Sequence, residues 1–241
     1  MTESHTRYVA HIDILGMSTI VARDHDEAWA MLSALVDARD KSTNVSLEFK
    51  NLGQLIHVPE HVKAITFSDT ILLLTRGDTD ADLRAITIAV TQIFCSALYN
   101  RVPVRAGVAK GIFYVNFERS MFAGPALIDA YHIGEAAQWL GIVLSASVAL
   151  DAKALDLTSG QSQVVVDWPV PTKCGTPAQS VINWPAVMAT QLKVAPPFST
   201  AAFYEIFEPT FGPFMGLDLR IRMKYENTVE FFNAQYAAHV A

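Results

Sequence analysis

Tyr8-Val9-Ala10-His11-Ile12-Asp13-Ile14-Leu15-Gly16-Met17 is the stretch that decides how this chain is read. Its β-branched and aliphatic residues predict a strand, Asp13 stands near the end of that strand, and Gly16 supplies a sharp turn directly after it. A second run, Ala64-Ile65-Thr66-Phe67-Ser68-Asp69-Thr70-Ile71-Leu72-Leu73-Leu74, again sets an aspartate inside a segment that packing would otherwise bury. A carboxylate in such surroundings is costly unless cations or donors meet it. Two of them suggest a shared cation, and the order of the elements decides whether they can share one.

Between the two runs, Met31, Leu32, Leu35 and Val36 recur at helical spacing behind Asp26 and Glu27, which predicts a helix over 25–39 with acidic residues in its first turn. Residues 40–61 are polar, then mixed, with room for one short strand. Val62 to Phe67 and Thr70 to Thr75 read as two strands joined by a tight Ser68-Asp69 turn. Asp80 to Leu98 places Leu83, Ile86, Val90, Ile93, Phe94 and Ala97 on one helical face, and Val102 to Phe113 returns to strand. The resulting order, β-α-β-β-α-β, is the ferredoxin-like split βαβ arrangement within the α/β class. There the first strand lies beside the third, and the hairpin tip stands at the first strand's C-terminal end. Asp13 and Asp69 are therefore expected to converge.

Further on, Gly124-Pro125 opens a helix, with proline admitted at the first helical position. A strand over 141–144 and a helix over 147–157 come next. Val164 to Pro169 and Ser180 to Pro185, each ending on a Trp-Pro pair, read as paired edge strands, and the tail over 217–240 reads as helix. The whole chain is expected to form one domain, with core motifs in 8–145 and completing strands and helices in 146–241.

The 241 residues are 51% hydrophobic and 17% charged, enough for one substantial core. A net charge of −6 supplies no general basic field, so an extended nucleic acid is not an expected partner. Cys95 and Cys174 are too few for a disulfide framework or a cysteine-rich zinc site, which fits a reducing cytosol. His5, His11, His25, His57 and His61 show no i, i+4 ligand pairing, so no zinc site is expected. The polar N-terminus lacks a signal core, and no apolar run is expected to span a bilayer. The chain reads as cytoplasmic, with any membrane role left to a partner.

Converging carboxylates suit a pair of Mg²⁺ or Mn²⁺ ions and hence phosphoryl transfer. The turn Ile14-Leu15-Gly16-Met17-Ser18 presents successive backbone N–H groups beside Asp13, and its glycine lets a phosphate approach the main chain. The plain structural alternative is that Asp13 caps the segment after it and Asp69 makes a turn.

The strand around Asp13, the hairpin Phe67-Ser68-Asp69-Thr70-Ile71-Leu72, the strand Val104-Arg105-Ala106-Gly107-Val108-Ala109-Lys110-Gly111 and the Gly124-Pro125-Ala126 helix start resemble, in order, the successive motifs of class III nucleotidyl cyclases. Within that superfamily, the helix start followed by Ala130-Tyr131, the run Gly141-Ile142-Val143-Leu144-Ser145 and the Val181-Ile182-Asn183-Trp184-Pro185 stretch are most similar to the bacterial pyrimidine cyclases of the Pycsar anti-phage system. The resemblance implies a head-to-tail homodimer with active sites across its interface. It implies two Mn²⁺ or Mg²⁺ ions held by Asp13, Asp69 and the main chain of Ile14, with the triphosphate on the Ile14 to Ser18 turn. Lys173 matches the place where the family often has a triphosphate lysine, although an ordinary loop lysine has the same appearance. The product would be a 3′,5′-cyclic nucleotide, read by a separate effector protein.

The departures from the family are informative. Four positions before Asp69, where purine cyclases commonly read the base with lysine, stands Ile65, which offers no hydrogen bond. Where they carry a transition-state Asn and, four residues on, an Arg, this chain has Ile128 and His132. Charged His132, or another cation such as Arg105, is then left to meet the developing charge. Tyr131 is a candidate to stack on a base, or a core aromatic. Arg220, Arg222 and Lys224 read as a solvated helix face. The expected activity is conversion of UTP, in preference to CTP, to its cyclic monophosphate. The competing expectation is a catalytically degenerate cyclase-homology domain that binds a nucleotide and regulates a partner. A diguanylate-cyclase-like or polymerase-palm-like nucleotidyltransferase comes third, weakened by the missing Gly-Gly-Asp/Glu-Glu-Phe turn.

Overall fold

The structure is a computed structural model that describes residues 5–49, 54–159, 163–189 and 197–240. Its centre is β1 (Thr6–Ile14), whose alternating side chains serve two layers. Tyr8, Ala10, Ile12 and Ile14 point into the main core, while Val9 enters a smaller one on the opposite face. His11 and Asp13, at the same parity as Val9, belong to that second face.

Among the described residues seven strands form the main sheet, in the order β10 (Val165–Pro169), β11 (Ala178–Ile182), β9 (Ile142–Leu144), β6 (Val104–Ile112), β1, β5 (Thr70–Thr75) and β4 (Val62–Phe67). The hairpin of β4 (Val62–Phe67) and β5 (Thr70–Thr75) lies antiparallel on one side of β1, with Asp13 opposite Thr70. On the other side runs β6 (Val104–Ile112), antiparallel, with Asp13 opposite Arg105. The expected ferredoxin-like placement is present, and Ser68 takes a left-handed φ of 52° at the hairpin tip. The strand β9 (Ile142–Leu144) joins parallel to β6, and β10 (Val165–Pro169) with β11 (Ala178–Ile182) extends the sheet.

Two helices cover the main core. After α1 (Met17–Arg23), α2 (His25–Thr43) begins at Asp24, whose side chain accepts from the Glu27 N–H. The second, α4 (Asp80–Tyr99), starts with a reciprocal capping box between Thr79 and Asp82, a device worth about 1 kcal/mol. Contrary to the expectation that no run approaches a membrane span, α4 has the length and apolar composition to cross one; 78% of that window is buried inside the fold, and packing accounts for it.

The other face of the sheet carries α5 (Pro125–Ala136), which starts as expected with proline in the first turn. Ala126, Ala130 and Gly134, four residues apart, are its buried stripe. Such small residues let the helix lie almost on the backbone of β6. A Cβ placed on Gly107 would stand 2.1 Å from the carbonyl oxygen of Ala130.

Several boundaries differ from expectation. Residues 40–61 hold the end of α2, a separate hairpin of β2 (Ser46–Phe49) and β3 (Gln54–His57), and α3 (Val58–His61), not one strand. A hairpin of β7 (Tyr114–Asn116) and β8 (Met121–Ala123), with no clear alternation to betray it, precedes α5. The second Trp-Pro pair does not close a strand. Trp184 and Pro185 open α7 (Trp184–Ala189), where proline's missing N–H costs nothing and the indole is fully buried. The helix expected over 147–157 is present as α6 (Ala146–Ala154), and α8 (Thr200–Tyr204) and α9 (Glu208–Phe211), which are not among the expected elements, precede the expected tail helix, α10 (Leu219–Val240).

Burial separates the two cysteines. Cys95, inside α4, is buried, which pushes its thiol up to about 12, whereas Cys174 is exposed. Native protein is expected to consume one equivalent of a maleimide at Cys174, with Cys95 reacting only on denaturation. Peptide mapping showing native labelling at Cys95 would contradict this packing.

Candidate active site

Strand parity places the site. Asp13 of β1 and Arg105 of β6 are cross-strand partners on the α5 face, and their side chains meet: Arg105 Nη2 and Nε donate to Asp13 Oδ2 at 3.1 and 3.3 Å. From α5 comes Glu135, whose Oε2 accepts a short contact from the same guanidinium and whose main-chain oxygen accepts from Arg105 Nη1 at 3.3 Å. Lys173 reaches Glu135 Oε1 at 2.8 Å. It does so because the β10–β11 loop is pinned to the end of α5, with the Lys173 N–H on the Ala136 carbonyl and the Gln138 N–H on the Pro171 carbonyl.

Asp69 stands at the hairpin tip beside this cluster. Its carbonyl accepts from the Ile14 N–H at 3.2 Å, and its charge acts on Asp13. Burial, with Asp69 adding to it, raises the Asp13 pKa against the pull of Arg105. The opposite balance holds at Glu135. Burial there is outweighed by the Lys173 hydrogen bond and by the charges of Arg105, Lys173 and Lys224, which hold the carboxyl below its ordinary range.

Gly16 has φ 80° and ends the strand; α1 begins at the next residue. Within the expected Ile14 to Ser18 turn, Ile14 and Met17 are buried, Ser18 is exposed, and the Leu15 N–H is already given to Pro103. Met17 and Ser18 thus belong to a helix. A Cβ at Gly16 would also meet the Phe211 ring at 3.2 Å, so this position is closed to other residues by conformation and by space.

Beside the cleft that holds Asp13 lies a groove of about 490 Å³. Ile65, Phe67, Leu72, Leu127, Ile128 and His132 are among the residues that line it. His11 and Tyr131, edge to face with centroids 5.3 Å apart, line both this groove and the narrow cleft holding Asp13, Arg105 and Glu135. Burial, assisted by Arg105, lowers the His11 pKa despite the neighbouring carboxylates. Ile128 and Tyr131 are exposed, and Phe67 is 81% exposed, leaving an apolar rim around the groove.

Asp13, Asp69, Arg105 and Lys173 are thus gathered at one rim, while His132 stands in the groove wall. The structure adds three contributors that the sequence reading does not assign to the site. His11 carries a usable signal, since a residue two before Asp13 on a strand shares its face. Glu135, one turn after Tyr131, is signalled the same way on a helix. Lys224 has no such signal. Lys224 of α10 is half-buried, not simply a solvated residue, and burial, with the charge of Arg105 adding to it, lowers its pKa.

Whether divalent cations suit these residues is a question of donor chemistry. Among the described residues no group of three or more His, Cys, Asp or Glu could hold a metal ion. Two neighbouring carboxylates at a partly open rim do fit Mg²⁺ or Mn²⁺, which take one or two carboxylates and complete their shells with water and substrate phosphates.

No protein-family model matches the sequence, and no curated protein matches it. Solved structures do. The catalytic core of a rhodopsin-guanylyl cyclase with converted specificity, in complex with ATPαS, is similar with a TM-score of 0.52 at 14% identity, covering 74% of this chain and 95% of that one. The non-canonical dimeric guanylyl cyclase domain of the RhoGC fusion protein from the aquatic fungus Blastocladiella emersonii matches with a TM-score of 0.50 at 14% identity, covering 76% and 98%. The chain has the fold of class III nucleotidyl cyclase catalytic domains.

Proposed function

We propose that this protein is a nucleotidyl cyclase that converts a pyrimidine nucleoside triphosphate, UTP in preference to CTP, to its 3′,5′-cyclic monophosphate and pyrophosphate. The observation that carries the reading is that the Ile14 N–H on the Asp69 carbonyl brings the hairpin tip beside Asp13, whose cleft shares His11 and Tyr131 with a groove of about 490 Å³. Asp13, Asp69 and the main chain of Ile14 would hold two divalent cations. When bound, these polarise the α-phosphate and lower the pKa of the ribose 3′-hydroxyl.

The chain's own residues supply the rest. Arg105 and Lys173 sit where a triphosphate tail leaving the carboxylate rim would pass, and the main chain from Ile14 to Ser18 borders it. Attack by the 3′-oxygen on the α-phosphorus expels pyrophosphate in line, and the guanidinium of Arg105 and the side chain of His132 are the groups at hand for the charge that develops. Ile65 in the groove wall gives a base no hydrogen bond, which supports the departure from purine selection. His11, Thr70, Tyr131 and His132 are the polar groups there from which pyrimidine recognition can be built.

The exposed apolar rim of Phe67, Ile128 and Tyr131 supports a homodimer closing over the groove. In this reading the enzyme is cytoplasmic, and its product is a second messenger of Pycsar anti-phage defence that acts through a separate effector. A second reading is favoured by two observations: Arg105 occupies the carboxylate of Asp13, and Ile128 stands where the family carries a catalytic Asn, as in a domain that binds a nucleotide and regulates a partner without turnover. Incubation with each of the four ribonucleoside triphosphates and Mn²⁺, with products identified by mass, separates the two. Cyclic UMP as the main product is expected. Cyclic AMP or GMP alone would overturn the pyrimidine assignment, and no product from any of them would leave only the binding domain.

A further inference from the structure

One carboxylate in the site is enclosed by the cations that the proposed chemistry needs for phosphate. Glu135 accepts from Lys173 at 2.8 Å on one oxygen and from Arg105 on the other, and the charge of Lys224 acts on it as well. Arg105 also donates to Asp13 and to the main chain of Glu135. A phosphate oxygen presents the same acceptor chemistry to the same donors. It competes with the carboxylate for them, since a phosphate added beside Asp13 and Glu135 would put a third anion on one guanidinium.

Resting on the cyclase reading, we infer that Glu135 is a built-in occupant of the phosphate site, holding Arg105 and Lys173 until the phosphate tail of a nucleotide replaces it. The exchange requires no backbone rearrangement. Glu135 stands in the last turn of α5 with a side chain 32% exposed, so rotation about its own bonds carries the carboxylate toward solvent. The occupant also keeps the guanidinium and ammonium groups apart from a wholly unbalanced state when no nucleotide is bound.

Pyrophosphate is the probe, titrated into the full-length protein by calorimetry with EDTA present, so that neither metal nor turnover enters the result. Glu135→Gln is expected to bind pyrophosphate at least about fivefold more tightly than the wild type, as loss of a competing charge requires. A Glu135 that merely holds Arg105 and Lys173 in place predicts the opposite sign, so equal, weaker or undetectable binding by the variant overturns the inference. Lys173→Met is expected to weaken binding at least about fivefold. Unchanged affinity there shows that Lys173 does not hold the phosphate and overturns the inference, and this arm remains decisive if the glutamine variant does not fold. A protein that shows both shifts yet cyclises no triphosphate would keep the occupant and lose the cyclase reading.

Discussion

Asp69→Asn is expected to lower cyclisation of UTP by roughly 10³-fold or more, because losing one cation-holding charge removes several kcal/mol of transition-state stabilisation. Asp13→Asn should do the same, by a different balance in the resting protein. Asp69 stands at a hairpin tip, half-exposed, and its structural contribution is the carbonyl that receives the Ile14 N–H, which the amide variant retains. Its melting temperature should therefore stay within a degree or two of wild type. Asp13 is cross-strand to Arg105 and shares it with Glu135, so Asp13→Asn leaves the guanidinium with one ionic partner in place of two. It also removes a carboxylate that burial disfavours. These changes oppose each other, and the net effect on stability is small beside the effect on turnover. Product formation and thermal melting measured on the same preparations check the pair. If either variant turned over UTP undiminished while folded, the cation site assigned to these two carboxylates would be wrong.

The placement of these carboxylates is legible in the chain because it depends on two strong local signals and one topological rule. Alternation around Asp13 and the Ser68-Asp69 turn specify the strand and hairpin, and the ferredoxin-like order brings their ends together. Legibility stops where side chains arrive from elements without periodic signals. Lys173 is placed by resemblance, but its position depends on a loop pinned by main-chain bonds to the end of α5, which no side-chain pattern encodes. Lys224 sits in a helix whose polar and apolar residues give no sharp face, so a cation turned inward is indistinguishable in sequence from its neighbours Arg220 and Arg222. The second Trp-Pro pair misleads because proline ends a strand and opens a helix with equal ease; the burial of Trp184 against Phe94 and Phe232 decides it, and that is a tertiary fact.

Gly107→Ala is expected to destabilise the protein by roughly 3 kcal/mol, at the upper end of the usual cost of overpacking. For a chain of this length that corresponds to a melting temperature lower by about 6–12 °C. The added methyl would meet the Ala130 carbonyl oxygen at 2.1 Å, the Ile133 side chain at 2.6 Å and the Gly134 N–H nitrogen at 2.9 Å. Two of those atoms are helix backbone, which cannot turn aside as a flexible side chain can, so α5 as a whole must move away from β6. That displacement reaches the site directly, because α5 carries Tyr131, His132 and Glu135 on the side facing His11, Asp13 and Arg105. Activity should consequently fall even at temperatures where the variant remains folded, the edge-to-face pairing of His11 with Tyr131 being the first to open. The converse position supplies the control. Gly216 has nothing within 4 Å of an added Cβ, so Gly216→Ala should leave both melting temperature and turnover near wild type. Melting curves and UTP turnover for the two variants side by side test whether the close approach of helix to sheet at Gly107, and not glycine loss in general, holds the rim together; a Gly107→Ala protein as stable and as active as Gly216→Ala would refute it.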